Sequence, residues 1–216
     1  MTANVAVTSH RYFAESTKEY TALLDGSSVH LLNGRWKLHM SPRPEEVPDG
    51  FWQPEYPDSD WASVEVPGNI ETQGFGQPHY TNFQYPWAID PPRVPSHNPT
   101  ACYRTSFRAP TEWSGRRAFL TFESADSALY CWLDGNFVGY SQDSRLPAEF
   151  DITRWVRPGA QHLLAVMVLR WSDGSYLEDQ VCSRRDPFAS RQPSNRGGVS
   201  IRSPYIVGHV VPVRSA

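Results

Sequence analysis

The chain has 216 residues, of which 39% are hydrophobic and 13% aromatic. It is long and apolar enough for one packed domain, which argues against intrinsic disorder. Its formal net charge of −3 argues against binding to nucleic acid or to an anionic membrane surface. No apolar run has the length of a signal peptide or a bilayer span. Three cysteines are too few for a disulfide framework. We therefore expect a soluble cytoplasmic protein.

The first two predicted strands follow a polar N-terminal arm, residues 1–30, which shows no strong periodicity. From Arg35 to His39 apolar and polar residues alternate, which predicts a strand with one buried face. A second alternating run, Trp61–Val66, predicts another strand that stops at a Pro-Gly pair. The residues between them, 41–60, are rich in Pro, Asp and Glu and predict a loop.

A long proline-rich segment, residues 67–101, carries many aromatic residues. Its prolines cannot donate to a β-ladder, so we predict a loop instead of a central strand. Within it lies the run Tyr80-Thr81-Asn82-Phe83-Gln84-Tyr85-Pro86. Aromatic rings cover the apolar faces of sugars, and amides bond their hydroxyl groups, so this run is a candidate sugar-binding loop. In the alternative interpretation, the rings pack the loop onto the domain and Asn82 caps a turn.

The strongest β-strand signals lie between residues 102 and 170. The residues Asp134-Gly135 supply the positive φ angles of a tight turn, which predicts a hairpin between Ala128–Leu133 and Asn136–Tyr140. Short strands with no helical periodicity between them predict an all-β fold, an antiparallel sandwich. Further strands are predicted at Cys102–Arg108, Arg117–Glu123 and His162–Arg170.

Six carboxylates that cluster in sequence are the candidates for catalysis. Paired carboxylates carry out glycoside hydrolysis. Acids beside Gly, Ser and Pro more often form turns or face solvent, and we favour that interpretation here. Cys102 and Cys131 lie in strand-like runs and are expected to be small core residues. The six carboxylates are Asp143, Glu149, Asp151, Asp173, Glu178 and Asp179.

Four motifs together carry a family resemblance. They are Tyr80-Thr81-Asn82, Asn98-Pro99-Thr100, the run from Tyr140 to Asp151 and the run from Trp171 to Gln180. Over residues 31–180 the chain resembles the N-terminal domain of the large β-galactosidases of glycoside hydrolase family 2. The resemblance implies a jelly-roll, galactose-binding-like β-sandwich. It also implies that the catalytic glutamates lie on a TIM barrel outside this chain, so the chain alone is expected to be inactive.

The resemblance also implies roles for individual residues. In the family this domain reaches the rim of the galactose pocket, where the Asn of the Tyr-Thr-Asn motif, here Asn82, binds substrate. A second contact, an Asp that binds substrate and sodium, is replaced by Val181, which can do neither. Gln142 and Asp173 match two ligands of a peripheral magnesium site. The implied cofactors are Mg²⁺ and Na⁺, with their main ligands outside this chain. The implied partners are a galactoside and the remaining domains or subunits of a β-galactosidase.

The resemblance ends at Gln180. Residues 181–216 form a divergent basic tail with six Arg and one acid, Asp186. We expect this tail to be irregular, and only Ile206–Val213 could form a strand. The predicted sandwich lacks its closing strand unless that segment supplies it.

Three functions stay open at this point. In the favoured one, the chain is the N-terminal sugar-binding domain of a β-galactosidase, which in the full-length family hydrolyses terminal non-reducing β-D-galactose residues with retention. The second is a free-standing carbohydrate-binding module that uses the Asn82 loop as a weak lectin. The third is a truncated product without function.

Overall fold

The computed structural model describes residues 30–80, 85–144, 146–177, 201–202 and 206–213. Within these residues the regular structure consists of strands and short 3-10 turns. The strands are β1 His30–Leu31, β2 Gly34–Ser41, β3 Ala62–Val66, β4 His79–Tyr80, β5 Thr100–Arg108, β6 Arg117–Ala125, β7 Ala128–Leu133, β8 Asn136–Gln142, β9 Ala148–Asp151, β10 Gln161–Leu169, β11 Ile201–Arg202 and β12 Ile206–Val213. None of the described helices is long and apolar enough to cross a membrane.

The strands form two main sheets, and their pairings are antiparallel. One sheet has six strands in the order β3-β2-β5-β10-β7-β8. The other has four strands in the order β1-β12-β6-β9, and β4 and β11 form a small third sheet. The all-β sandwich predicted from the sequence is confirmed.

The predicted strands coincide with β2, β3, β5, β6, β7, β8 and β10. The predicted hairpin is also present, with β7 paired to β8 and positive φ angles of 48° at Asp134 and 80° at Gly135. Strand β9 was not predicted separately. It lies inside the Tyr140–Asp151 motif and has only four residues, too few for alternation to stand out.

Large apolar side chains from both sheets meet in the main core. Trp36 and Leu38 point inward from β2, and Leu120 and Phe122 point inward from β6. Each of these four side chains is at most 1% exposed. This alternation along each strand buries one face of each sheet, and that burial is the main stabilising contribution to the fold.

The predicted loop 41–60 covers the outer face of the six-stranded sheet. Phe51 and Trp61 pack there on Cys102 and Ala165 in a second apolar cluster. The two described cysteines, Cys102 and Cys131, are both buried, as predicted.

Arg104 of β5 holds this loop in place, and its side chain is only 3% exposed. Its Nε donates to Asp58 Oδ2 at 2.7 Å, and its Nη1 and Nη2 donate to the carbonyl oxygens of Gln53 at 2.9 Å and Tyr56 at 3.3 Å. The buried guanidinium is therefore paired and hydrogen-bonded, as a charge removed from water must be.

Within the basic tail, Ile206–Val213 forms β12, the strand that the sequence singled out there. It pairs with β6 from Ile206 opposite Ala125 to Val213 opposite Arg117, and on its other side with β1. The four-stranded sheet is therefore continuous from β1 to β9. The N-terminal arm up to residue 29 and most of the tail lie outside the described residues, so the predicted boundary at Gln180 stays a prediction.

Candidate functional site

The two residues on which the predicted galactose contact depends lie outside the described part of the chain. Asn82 falls within residues 81–84, and Val181 follows the last described residue of its segment, Leu177. The structure does describe the chain close to each of them. Tyr85 lies three residues after Asn82, and Leu177 lies four residues before Val181.

The flank that follows Asn82 packs on the segment 171–177. The Tyr85 hydroxyl donates to the carbonyl oxygen of Ser175 at 3.1 Å, and Trp87 Nε1 donates to the Tyr176 hydroxyl at 2.9 Å. The ring centroids of Trp87 and Trp171 are 4.6 Å apart. This agrees with the packing interpretation for Tyr85, and the neighbouring Trp87 is engaged within the domain in the same way.

Asn98 ties the same loop to Trp171 through both atoms of its amide. Its Nδ2 donates to the Trp171 carbonyl oxygen at 2.9 Å, and its Oδ1 accepts from the Trp171 N–H at 2.9 Å. Asn98 and Trp171 are each 4% exposed. The Tyr176 hydroxyl adds a bond of 2.5 Å to the carbonyl oxygen of Arg93. The described part of the proline-rich loop that follows residue 84 is thus attached to the segment 171–177 at several points.

A buried ion pair holds the flank that precedes Asn82. Arg170, at the end of β10, lies 3.3 Å from Glu71 Oε1, and both side chains are 3% exposed. Arg170 Nη2 also donates to the carbonyl oxygen of Gln77 at 2.8 Å. Burial raises the pKa of Tyr103 well above its ordinary value, and the nearby Glu71 carboxylate adds to the shift. Arg170 lies beside Glu71 and bonds Gln77, so this ion pair attaches Gln77 to the end of β10.

The sequence did not single out Arg170 or Glu71. Arg170 ended a predicted strand, and Glu71 stood in the predicted loop 67–101. Sequence spacing could not reveal the pair, because 98 residues separate the two partners. Asn98 did carry a signal, since it belongs to one of the four motifs.

Gln142 and Asp173, the predicted magnesium ligands, lie on neighbouring elements. A Cβ built on Gly174 would be 4.0 Å from Gln142 Nε2, so the end of β8 adjoins the turn that begins at Asp173. Gln142 Oε1 accepts from the Tyr140 hydroxyl at 2.5 Å, and Asp173 Oδ1 accepts from the Gly174 N–H at 2.9 Å.

The donor set at this position is small. Magnesium takes six oxygen ligands, of which these two residues offer two. The described residues contain no group of three or more His, Cys, Asp or Glu that could hold a metal ion. Gln142 and Asp173 therefore fit part of a magnesium shell and do not complete one. Further ligands would have to come from water or from residues outside the described part.

The described carboxylates of the catalytic candidate set have structural partners. Asp151 accepts from Arg117 Nη2 at 2.7 Å and from the Thr153 hydroxyl at 2.5 Å. The hydrogen bond from Arg117, followed by those from Thr153, lowers the pKa of Asp151 to about 2. Asp143 directly follows β8, is exposed and has a φ of 123°. The four described carboxylates of the set, Asp143, Glu149, Asp151 and Asp173, are all exposed, which favours the turn or solvent-facing interpretation over a catalytic pair. Glu178 and Asp179 lie outside the described residues.

The fold and the attached aromatic loop define a β-sandwich binding domain. Residues 29–191 match the family model described as glycosyl hydrolases family 2, sugar binding domain. The chain therefore belongs to this family, as its motifs predicted.

Comparison with curated proteins and solved structures agrees with this assignment. The chain is 52% identical over 150 residues to a β-galactosidase of Pectobacterium atrosepticum. The aligned region covers 69% of this chain and 14% of that protein. It is 44% identical over 185 residues to a β-galactosidase of Yersinia enterocolitica, which covers 84% of this chain and 17% of that protein. A glycosyl hydrolase family 2 member from Bacteroides cellulosilyticus shares the fold, with a TM-score of 0.54 at 16% identity, over 87% of this chain and 21% of that one.

Proposed function

We propose that this chain is the sugar-binding domain of a β-galactosidase that acts on terminal non-reducing β-D-galactose residues. In this proposal the domain supplies contacts at the rim of the galactose pocket, and the rest of the enzyme supplies the reacting carboxylates. The identity to proteins named β-galactosidase supports the substrate class. The share of those proteins that the chain spans supports a role as one part of a larger enzyme.

The observation that carries the proposal is the anchoring of the loop on both sides of Asn82. The Arg170–Glu71 pair fixes Gln77 before it, and the bond from Tyr85 to Ser175 fixes the chain after it. Loop ends that are fixed by the fold reduce the entropy lost when the loop binds a ligand. An amide presented on such a loop suits recognition of sugar hydroxyl groups.

We also propose that Asn82 carries the galactose contact of this domain without the second family contact. The side chain of Val181 has no oxygen with which to bind sodium or a hydroxyl group. Val181→Asp is therefore expected to increase the contribution of the domain to galactoside binding, and this increase is expected to require sodium.

Complementation tests the proposal directly. The full chain is mixed with the Pectobacterium atrosepticum β-galactosidase from which the matching region has been deleted, and turnover of a chromogenic galactoside is measured. We expect no turnover by the chain alone and restored turnover in the mixture. Asn82→Ala is expected to raise the KM of the restored enzyme, while Glu112→Ala, at an exposed position in the 3-10 turn between β5 and β6, leaves it unchanged.

Two results would contradict the proposal. Turnover by the chain alone that survives purification would show that it carries its own catalytic groups. Restored activity with identical KM values for Asn82→Ala and the unmodified chain would remove Asn82 from the galactose pocket.

We further propose that Gln142 and Asp173 provide two oxygen ligands to a peripheral Mg²⁺ whose shell is completed by residues outside the described part or by water. Magnesium is expected to raise the melting temperature of the full chain, because a ligand that binds only the folded state stabilises it. Asp173→Asn is expected to abolish that increase. An equal increase in the unmodified chain and the variant would exclude this site.

A further inference from the structure

The side-chain amide of Gln73 lies against β3, the strand at one edge of the six-stranded sheet. Gln73 Oε1 accepts from the main-chain N–H of Glu65 at 2.7 Å, and Gln73 Nε2 donates to the main-chain carbonyl oxygen of the same residue at 3.0 Å. An antiparallel neighbouring strand would make the same two bonds, one in each direction, to a residue at this position. The amide therefore stands where a further strand would pair with β3.

The surrounding turn holds this amide against Glu65. Gln73 ends the 3-10 turn Glu71–Gln73, and Glu71 is attached to the sheet through its ion pair with Arg170. A Cβ built on Gly68 would lie 2.7 Å from Gln73 Nε2 and 2.8 Å from the Glu65 carbonyl oxygen. Glycine at this position therefore leaves the room that the amide fills.

The other edges of the two main sheets are protected in different ways. The edge strands of the four-stranded sheet, β1 and β9, have only two and four residues. At the second edge of the six-stranded sheet, β8 pairs with β7 through a register shift between Cys131 and Trp132. Short strands and bulges keep sheet edges from pairing with other chains. β3 has neither protection, because its five residues pair with β2 in one continuous register.

The main-chain groups at the β3 edge are complementary to those of a second copy of the same strand. Because these groups alternate in direction along a strand, those of Ser63 point to the same side as those of Glu65. In an antiparallel pair of β3 strands centred on Val64, Ser63 of each copy lies opposite Glu65 of the other. Each such pair exchanges two hydrogen bonds, about four in all. The two Glu65 carboxylates are not directly opposite each other, so like charges do not prevent this pairing.

We propose that the β3 edge is a self-association surface of this chain and that the Gln73 amide blocks it. While the amide bonds Glu65, a second copy has no access to the N–H and carbonyl groups of that residue. Withdrawal of Gln73 opens the edge to antiparallel pairing with β3 of the second copy, which joins two six-stranded sheets into one. This inference does not rest on the proposed function, because neither Asn82 nor a galactoside takes part in it.

The test measures self-association of the full chain by sedimentation equilibrium over a range of concentrations. Gln73→Ala is expected to associate more strongly than the unmodified chain, in which two bonds must first break in each copy. One neutral hydrogen bond changes an equilibrium constant about fivefold, so the dissociation constant is expected to fall on the order of several hundredfold. Amide hydrogen exchange locates the contact, since the Ser63 N–H should become protected as Gln73→Ala associates.

Two controls separate an open edge from a loss of stability. Gln73→Glu keeps an acceptor for the Glu65 N–H, loses the donor and places a carboxylate at the edge, so it is expected to associate no more than the unmodified chain. Thr72→Ala removes a neighbouring side chain, whose hydroxyl donates to the Asn69 carbonyl oxygen at 2.8 Å, and should also leave association unchanged. Ser63→Pro, added to Gln73→Ala, should abolish association, because proline has no N–H and is tolerated at a sheet edge.

The variants must be folded for the comparison to decide the question, and thermal melts establish this. Gln73→Ser, whose side chain is too short to reach Glu65, replaces Gln73→Ala if the latter unfolds at the assay temperature. A folded variant that associates no more strongly than the unmodified chain would overturn the inference. Equal association with and without Ser63→Pro, or equally increased association in Thr72→Ala, would place the contact elsewhere and overturn it as well.

Discussion

Replacement of Asn98 by alanine is expected to destabilise the domain strongly, although it removes only one side-chain amide group. Both amide atoms of Asn98 bond the main chain of Trp171 at 2.9 Å, in a region where each residue is 4% exposed. Asn98→Ala leaves a buried N–H and a buried carbonyl group without these partners. Each unsatisfied group costs about 1–3 kcal/mol, so the free energy of unfolding should fall by about 2–6 kcal/mol.

The assay is urea unfolding of the full chain, followed by tryptophan fluorescence. We expect the midpoint to fall while the slope with denaturant concentration stays unchanged, because the surface exposed on unfolding is nearly the same. The same variant should loosen the loop at 94–98 and expose Trp171 to quenchers below the unfolding midpoint. A loss below about 1 kcal/mol would refute the assignment of Asn98 as the principal tie between the loop and Trp171.

Asn98→Asp is the matched control, because it retains the acceptor for the Trp171 N–H and replaces the donor. At neutral pH the introduced carboxylate would face the Trp171 carbonyl oxygen, and this repulsion raises the pKa of the introduced carboxyl in the folded state. A raised pKa means that its protonated form, which can donate, is favoured by folding. The variant should therefore come closest to the unmodified chain below about pH 4 and lose stability as the pH rises through the raised pKa. A deficit independent of pH would contradict the donor role of Asn98.

Two further predictions concern strand β9 and its neighbours. The pKa of Asp151 is lowered to about 2, so its contact with Arg117 stabilises the fold above the ordinary aspartate pKa, and this stabilisation disappears as the pH falls through about 2. Asp151→Asn should flatten the acid limb of a pH-stability curve between these values, whereas a curve identical to that of the unmodified chain would contradict the ion pair. Gly139→Ala would place its Cβ 2.4 Å from Phe150 Cε1 and should destabilise by about 1–3 kcal/mol, as overpacking does. A melting temperature equal to that of the unmodified chain would show that the ring moves aside freely.

Local patterns made most of the fold predictable. Alternation along β2 and β3 and the Asp-Gly turn between β7 and β8 are properties of adjacent residues, so a single sequence displays them. The covering role of loop 41–60 was not predictable. It depends on Arg104, whose partner Asp58 lies 46 residues away, and a buried arginine within a strand has no local signature.

The candidate site was predictable in its parts and not in its assembly. Motifs identified Asn82, Asn98 and the Trp171–Gln180 run separately. Their junction depends on contacts between residues 73 and 90 positions apart, such as Asn98 with Trp171 and Tyr85 with Ser175. Sequence reasoning treated packing and sugar recognition as alternatives for the aromatic loop, whereas the described flank uses its rings for packing.

The described aromatic residues of the loop pack on the domain, and Asn82 is proposed to bind the sugar, so sugar affinity is linked to domain stability. The ring of Trp87 packs on Trp171, and its N–H donates to the Tyr176 hydroxyl. These contacts fix the position of the residues that follow the Asn82 segment in the chain. Fixing the loop in the folded state removes an ordering cost from binding. Substitutions at Trp87 or Asn98 should therefore lower the affinity for a galactoside bound at Asn82, although in this proposal neither residue contacts the sugar. The loss of affinity should be largest in the variants with the lowest unfolding midpoints.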